Sequence, residues 1–145
     1  MQKGFKCMKK IRIISLLLMS LLFINSAFAK TDIEYLPQDQ PPSVLELAFL
    51  RELGPSILEA MSTHGNKQLF TSGRIEKINR NIHQDYYDVS LRVLGYEGPL
   101  NPPYTQIRIT FRIPAGDFKN KNKVISYVAQ TITPEEFKKL SEFTN

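Results

Sequence analysis

Two seven-residue segments constrain this chain most. In the first, Tyr87, Val89, Leu91 and Val93 alternate with Asp88, Ser90 and Arg92. In the second, Ile107, Ile109, Phe111 and Ile113 alternate with Arg108, Thr110 and Arg112. An apolar residue at every second position belongs to a strand with one face buried and the other in water. A third segment, Leu69 to Ile78, is less regular: Ile75 and Ile78 are three apart and Gly73 interrupts, which predicts a bulge. A fourth strand is expected at Val124 to Ala129, after a turn made by Pro114-Ala115-Gly116-Asp117 and the Lys/Asn run from Lys119 to Lys123.

Helices bracket these strands. Ser43-Val44-Leu45-Glu46 has the capping-box pattern, and Leu50, Leu53, Ile57 and Met61 recur at the spacing of one buried helix face. Gly54-Pro55 predicts a kink or a split, because proline lacks the amide donor and crowds the preceding turn. Gly65 is a suitable stop. Thr133-Pro134-Glu135-Glu136 opens a short C-terminal helix carrying Phe137 and Leu140. The expected fold is therefore α+β: an N-terminal helix, kinked or split, packed on a four-stranded antiparallel meander, then a short helix. Its general shape would be cystatin-like or like the nuclear transport factors, an analogy that carries no function.

The first 29 residues read as an export signal. Lys9, Lys10 and Arg12 precede an apolar core of 12 residues, Ile13 to Ile24, and Ala27-Phe28-Ala29 offers a cleavage site that leaves Lys30 as the new N-terminus. That core is shorter than the roughly 20 residues of a membrane-spanning helix. An uncleaved anchor is the other reading, and Met8 is an alternative start. Five of the 19 Lys+Arg lie in this segment, which leaves 14 bases against 14 acids in the mature chain. The one cysteine, Cys7, leaves with it. A secreted or envelope-associated protein with no disulfide scaffold, thiol nucleophile or zinc–thiolate site follows, and no nucleic-acid partner is expected. Residues 30–42 read as an extended leader, 43–130 as a single domain, and 131–145 as a C-terminal helix and tail.

Little in the mature chain points to catalysis. His64 and His83 fall on separate loops, and His83-Gln84-Asp85 is the nearest approach to a metal-ligand pair. No cofactor motif is present. Asp88 faces Arg108 or Arg112 across the expected sheet, either as a solvated ion pair or, with His83 and Asp85, as an acid–base group. Residues 30–63 hold two bases and six acids, so the sheet half carries the compensating positive charge. Arg92, Arg108 and Arg112 then form a candidate face for an anionic wall polymer or an acidic partner.

The most specific local feature is the string Gly95-Tyr96-Glu97-Gly98-Pro99-Leu100-Asn101-Pro102-Pro103-Tyr104 between the two regular strands. Pro99, Pro102 and Pro103 stiffen it, while Tyr96, Asn101 and Tyr104 offer aromatic area and amide donors for recognition. Equally, the tyrosines could pack on the sheet while the prolines block edge pairing. Glu97-Gly98-Pro99-x-Asn101-Pro102-Pro103-Tyr104, followed by Ile107-x-Ile109-Thr110-Phe111-Arg112-Ile113, resembles a domain-of-unknown-function family, number thirty-eight eighty-eight. Its members are small exported proteins of spore-forming Gram-positive bacteria. The resemblance spans about Val44 to Tyr127 and implies export and a compact domain, with no activity or catalytic residues to carry over. The functional expectation is a non-catalytic binding module for a protein or peptide. The alternatives are an anionic-polymer binder or a small acid–base enzyme using His83, Asp85 or Asp88.

Overall fold

The computed structural model describes residues 31–114 and 122–144. The segment expected to act as an export signal and most of the Lys/Asn turn lie outside the described residues. Five antiparallel strands stand in sequence order: β1 (Thr31–Tyr35), β2 (Leu69–Asn81), β3 (Tyr86–Glu97), β4 (Asn101–Pro114) and β5 (Lys123–Ile132). Helix α1 (Val44–Thr63) lies between β1 and β2 in sequence, and α2 (Pro134–Ser141) follows β5. The architecture is thus α+β, with five strands where four were expected. The additional strand comes from the leader, where Thr31–Tyr35 pairs with Lys77–Asn81.

Most of the alternating residues do what their spacing requires; the exceptions are Tyr87, which is exposed, and Arg92, which is buried. Val89, Leu91 and Val93 stand opposite Phe111, Ile109 and Ile107 in register, and all six are buried against Leu50, Leu53, Ile57 and Met61 of α1. Each such side chain contributes about 1.5–3 kcal/mol on burial. The irregular β2 is bulged twice, between Thr71 and Arg74 and between Ile75 and Lys77. The second bulge explains the three-residue spacing, because it lets Ile75 face Leu91 and Ile78 face Val89 on one side of the sheet.

Helix α1 is not divided at Gly54-Pro55; it runs unbroken for 20 residues. Pro55 and Arg51, whose carbonyl loses its intrahelical donor, are both exposed, so water can satisfy that oxygen. Gly65 ends the helix at φ +80°. The second face of the sheet is partly covered by α2, whose capping box is complete: Thr133 Oγ1 accepts from Glu136 N, and Glu136 accepts from Thr133 N.

Candidate functional site

The string from Gly95 to Tyr104 is not a long loop. Glu97 pairs with Asn101, which leaves a three-residue turn at Gly98-Pro99-Leu100. Pro102 and Pro103, joined by a cis peptide bond, fall in the register break between Gly95 and Glu97. Proline's missing donor costs little where the ladder is already interrupted.

This geometry divides the residues expected to act together. Pro99, Asn101 and Pro102 sit exposed at the hairpin tip. Tyr104 turns to the α2 face, where its ring stacks on Phe137 at 4.1 Å and its hydroxyl donates to the Leu100 carbonyl at 2.8 Å. Tyr96 and Pro103 instead line a cleft on the α1 face.

That cleft, of about 710 Å³, lies between the end of α1, the α1–β2 connection and the last residues of β5. His64 forms one wall. Its Nδ1 lies 2.8 Å from the Ala60 carbonyl, an acceptor, so Nδ1 carries the proton and a neutral ring keeps its lone pair on Nε2. The imidazole stacks on Tyr127 of β5, with centroids 4.1 Å apart and planes 9° apart. The Tyr127 hydroxyl is buried without a hydrogen bond. Burial holds its pKa above the ordinary phenol value, a shift partly offset by the nearby Asn66 amide.

The cleft floor is built from Gln68, whose Nε2 donates to the Pro103 carbonyl at 2.6 Å and whose Oε1 accepts from Asn66 at 3.3 Å. Gly95 makes room for it, since a Cβ there would lie 2.6 Å from Gln68 Oε1. A second hollow of about 420 Å³ continues from His64 and Tyr127 along β5, between it and Ser56 and Thr63 of α1. Together the two make a groove beside β5, narrowed at the stacked rings.

Asn66, Gln68 and Tyr127 were not identified as site residues from sequence. The one local signal was the polar run Thr63-His64-Gly65-Asn66-Lys67-Gln68 after an amphipathic helix.

The arginine face is internally neutralised to a large extent. Arg112 makes a bidentate pair with Asp88 at 2.8 and 3.0 Å and lies 3.8 Å over the Tyr86 ring. Asp88 thereby holds the Arg112 pKa above its ordinary value. Arg108 donates from Nε to both oxygens of Glu76 at 3.0 and 3.1 Å. Arg92 is buried beside it. His83 and Asp85 sit exposed in the β2–β3 turn, away from the groove, and Asp88 is engaged with Arg112. None of these three lines the groove. No family model, curated protein or solved structure matches the chain.

Proposed function

We propose that this protein is an exported, non-catalytic binding module that takes an extended peptide segment of a protein partner along β5. The carrying observation is that, among the described residues, β5 is an edge of the sheet and borders the α1–β5 groove from Val124 to Thr131. An edge strand offers every second N–H and C=O to an incoming chain, and a groove beside it can read alternate side chains. His64 Nε2, Tyr96 and the Asn66–Gln68 amides would receive a polar group at one end. Membership of the domain-of-unknown-function family, proposed on the Glu97–Tyr104 string, is consistent with an exported module of this size.

An anionic-polymer surface is less favoured, because Asp88 and Glu76 already occupy Arg112 and Arg108. Peptide display against the protein, counter-screened with Ala129→Arg, tests the leading reading. Ala129 is exposed and lines the cleft, so the larger side chain blocks the groove without entering the core. Selected peptides should lose about tenfold or more in affinity for the variant, equal to at least ~1.4 kcal/mol. They should also slow amide exchange on β5 while leaving β1 unchanged. Peptides that bind both proteins equally, or protect β1 instead, would overturn the proposal.

A further inference from the structure

Three arginines lie side by side across the sheet: Arg74 on β2, Arg92 on β3 and Arg108 on β4 are register neighbours. Like charges directly opposite one another destabilise a sheet unless something compensates them. Two carboxylates form hydrogen bonds with this row, and both bond the outer arginines. Glu46 Oε1 accepts from Arg74 Nε at 3.0 Å, and Glu76 accepts from Arg108 through both oxygens. The middle arginine is left with a 3.8 Å approach to Glu76 and one hydrogen bond, from Nη1 to the Leu140 carbonyl at 3.3 Å.

Yet Arg92 is only 5% exposed. A guanidinium has five N–H donors, and among the described residues the bond to Leu140 uses one of them. The side chain borders open space. That space is a cavity of about 410 Å³ under α2, lined also by Arg108 and by Lys139 at the mouth, with exposed Asp39 and Glu142 on its rim. Burial pushes the Arg92 pKa down and Arg108 and Arg74 push the same way, with Glu76 alone opposing them. A buried cation short of both charge and acceptors is costly unless an anion completes it.

We infer that this cavity is a binding site for a small oxyanion, a carboxylate or phosphate group, with Arg92 as its buried ligand and Arg108 and Lys139 at its entrance. The site lies on the α2 face, so it is independent of the β5 groove. A planar oxyanion edge matches the paired N–H donors of a guanidinium, which is the recognition this side chain is built for.

Inorganic phosphate and acetate, titrated separately at constant ionic strength with chloride as the balancing anion, provide the probes. Calorimetry and thermal unfolding provide the readouts. At least one anion should raise Tm saturably in the native protein and leave Tm unmoved in Arg92→Met. Without anion, Arg92→Met should melt no lower than the native protein, because it removes an under-compensated buried charge. The double variant Arg108→Gln, Lys139→Ala should bind the effective anion about tenfold more weakly. A response to phosphate alone assigns the phosphate class, and a response to acetate alone assigns carboxylates. No saturable effect from either, or an equal effect in Arg92→Met, overturns the inference. Should Arg92→Met fail to fold, undiminished anion affinity in the double variant overturns it.

Discussion

Arg74 is the residue on which most separate parts of the chain converge. It is 1% exposed, and every nitrogen of its guanidinium is used. Nε bonds Glu46, Nη1 bonds the carbonyls of Gln40 and Phe143, and Nη2 bonds the carbonyl of Pro37. Glu46 Oε1 also accepts from Ile75 N at 2.9 Å. Removing one member of such a buried pair strands the other, so Arg74→Met should cost about 3–5 kcal/mol in urea unfolding. Tyr127 presents the opposite case, a buried hydroxyl that makes no well-formed hydrogen bond and has only the Asn66 amide nearby. Tyr127→Phe should therefore be neutral or stabilising at neutral pH. Its raised phenol pKa has a definite sign: the unfolded chain loses that proton first, so the native protein loses stability as pH rises above about 10. That alkaline slope should be shallower in Tyr127→Phe, as followed by chemical denaturation across the pH range. At Gly95 an added methyl group would collide with Gln68, so Gly95→Ala should keep the fold, cost about 1 kcal/mol and shift the Gln68 side-chain amide resonances.

Among the elements, the two helices depend on their caps differently. Helix α1 has the Ser43 hydroxyl accepting from Glu46 N, but Glu46 does not return the bond; its carboxylate is drawn to Arg74 and Ile75. The packed face of α1, centred on Leu53 and Ile57, holds it regardless. Helix α2 has eight residues and none of them is buried, so its complete capping box carries a larger share of its stability. Thr133→Ala should cost about 1 kcal/mol. The loss should appear first as faster amide exchange in α2, with the strands unaffected. Ser43→Ala should leave exchange in the centre of α1 unchanged. Both helix starts were legible in sequence because capping chemistry is local. The diversion of Glu46 was not, because its partners lie 28 and 29 residues away.

Across the whole molecule, the two ends of the described chain are tied into the same corner. The leader crosses the edge of β2, with Leu36 N bonded to the Glu76 carbonyl and the Gln38 side chain to the Ile75 carbonyl. From the other end, Thr144 is buried and its hydroxyl is hydrogen-bonded to that of Ser72 at 3.1 Å, where β2 bulges. Deleting residues 142–145 removes the Phe143 carbonyl and the Thr144 hydroxyl together. It should lower global stability by about 1–3 kcal/mol, read as a lower urea midpoint with an unchanged slope. Loss confined to α2 would show instead that the tail is only locally attached.

Local spacing was enough to place the periodic elements and most of their core faces. Alternation at Tyr87–Val93 and Ile107–Ile113, and the helical spacing of Leu50, Leu53, Ile57 and Met61, are signals carried within a few residues. That Asp88 meets an arginine across the sheet also followed, while the register chose Arg112 over Arg108. Tertiary structure alone decided the rest. Thr31–Tyr35 is exposed at all five positions, so no buried face holds it even though Ile33 and Tyr35 alternate with Asp32 and Glu34, and it is a strand because β2 offers it an edge. The Gly95–Tyr104 string shortened to a tight turn because strand register extended through it, which sent Tyr96 and Tyr104 to opposite faces. The groove beside β5 and the row of three arginines arise where distant segments meet. Burial and ion pairing of that kind depend on distances through space, which a residue's near neighbours along the chain do not encode.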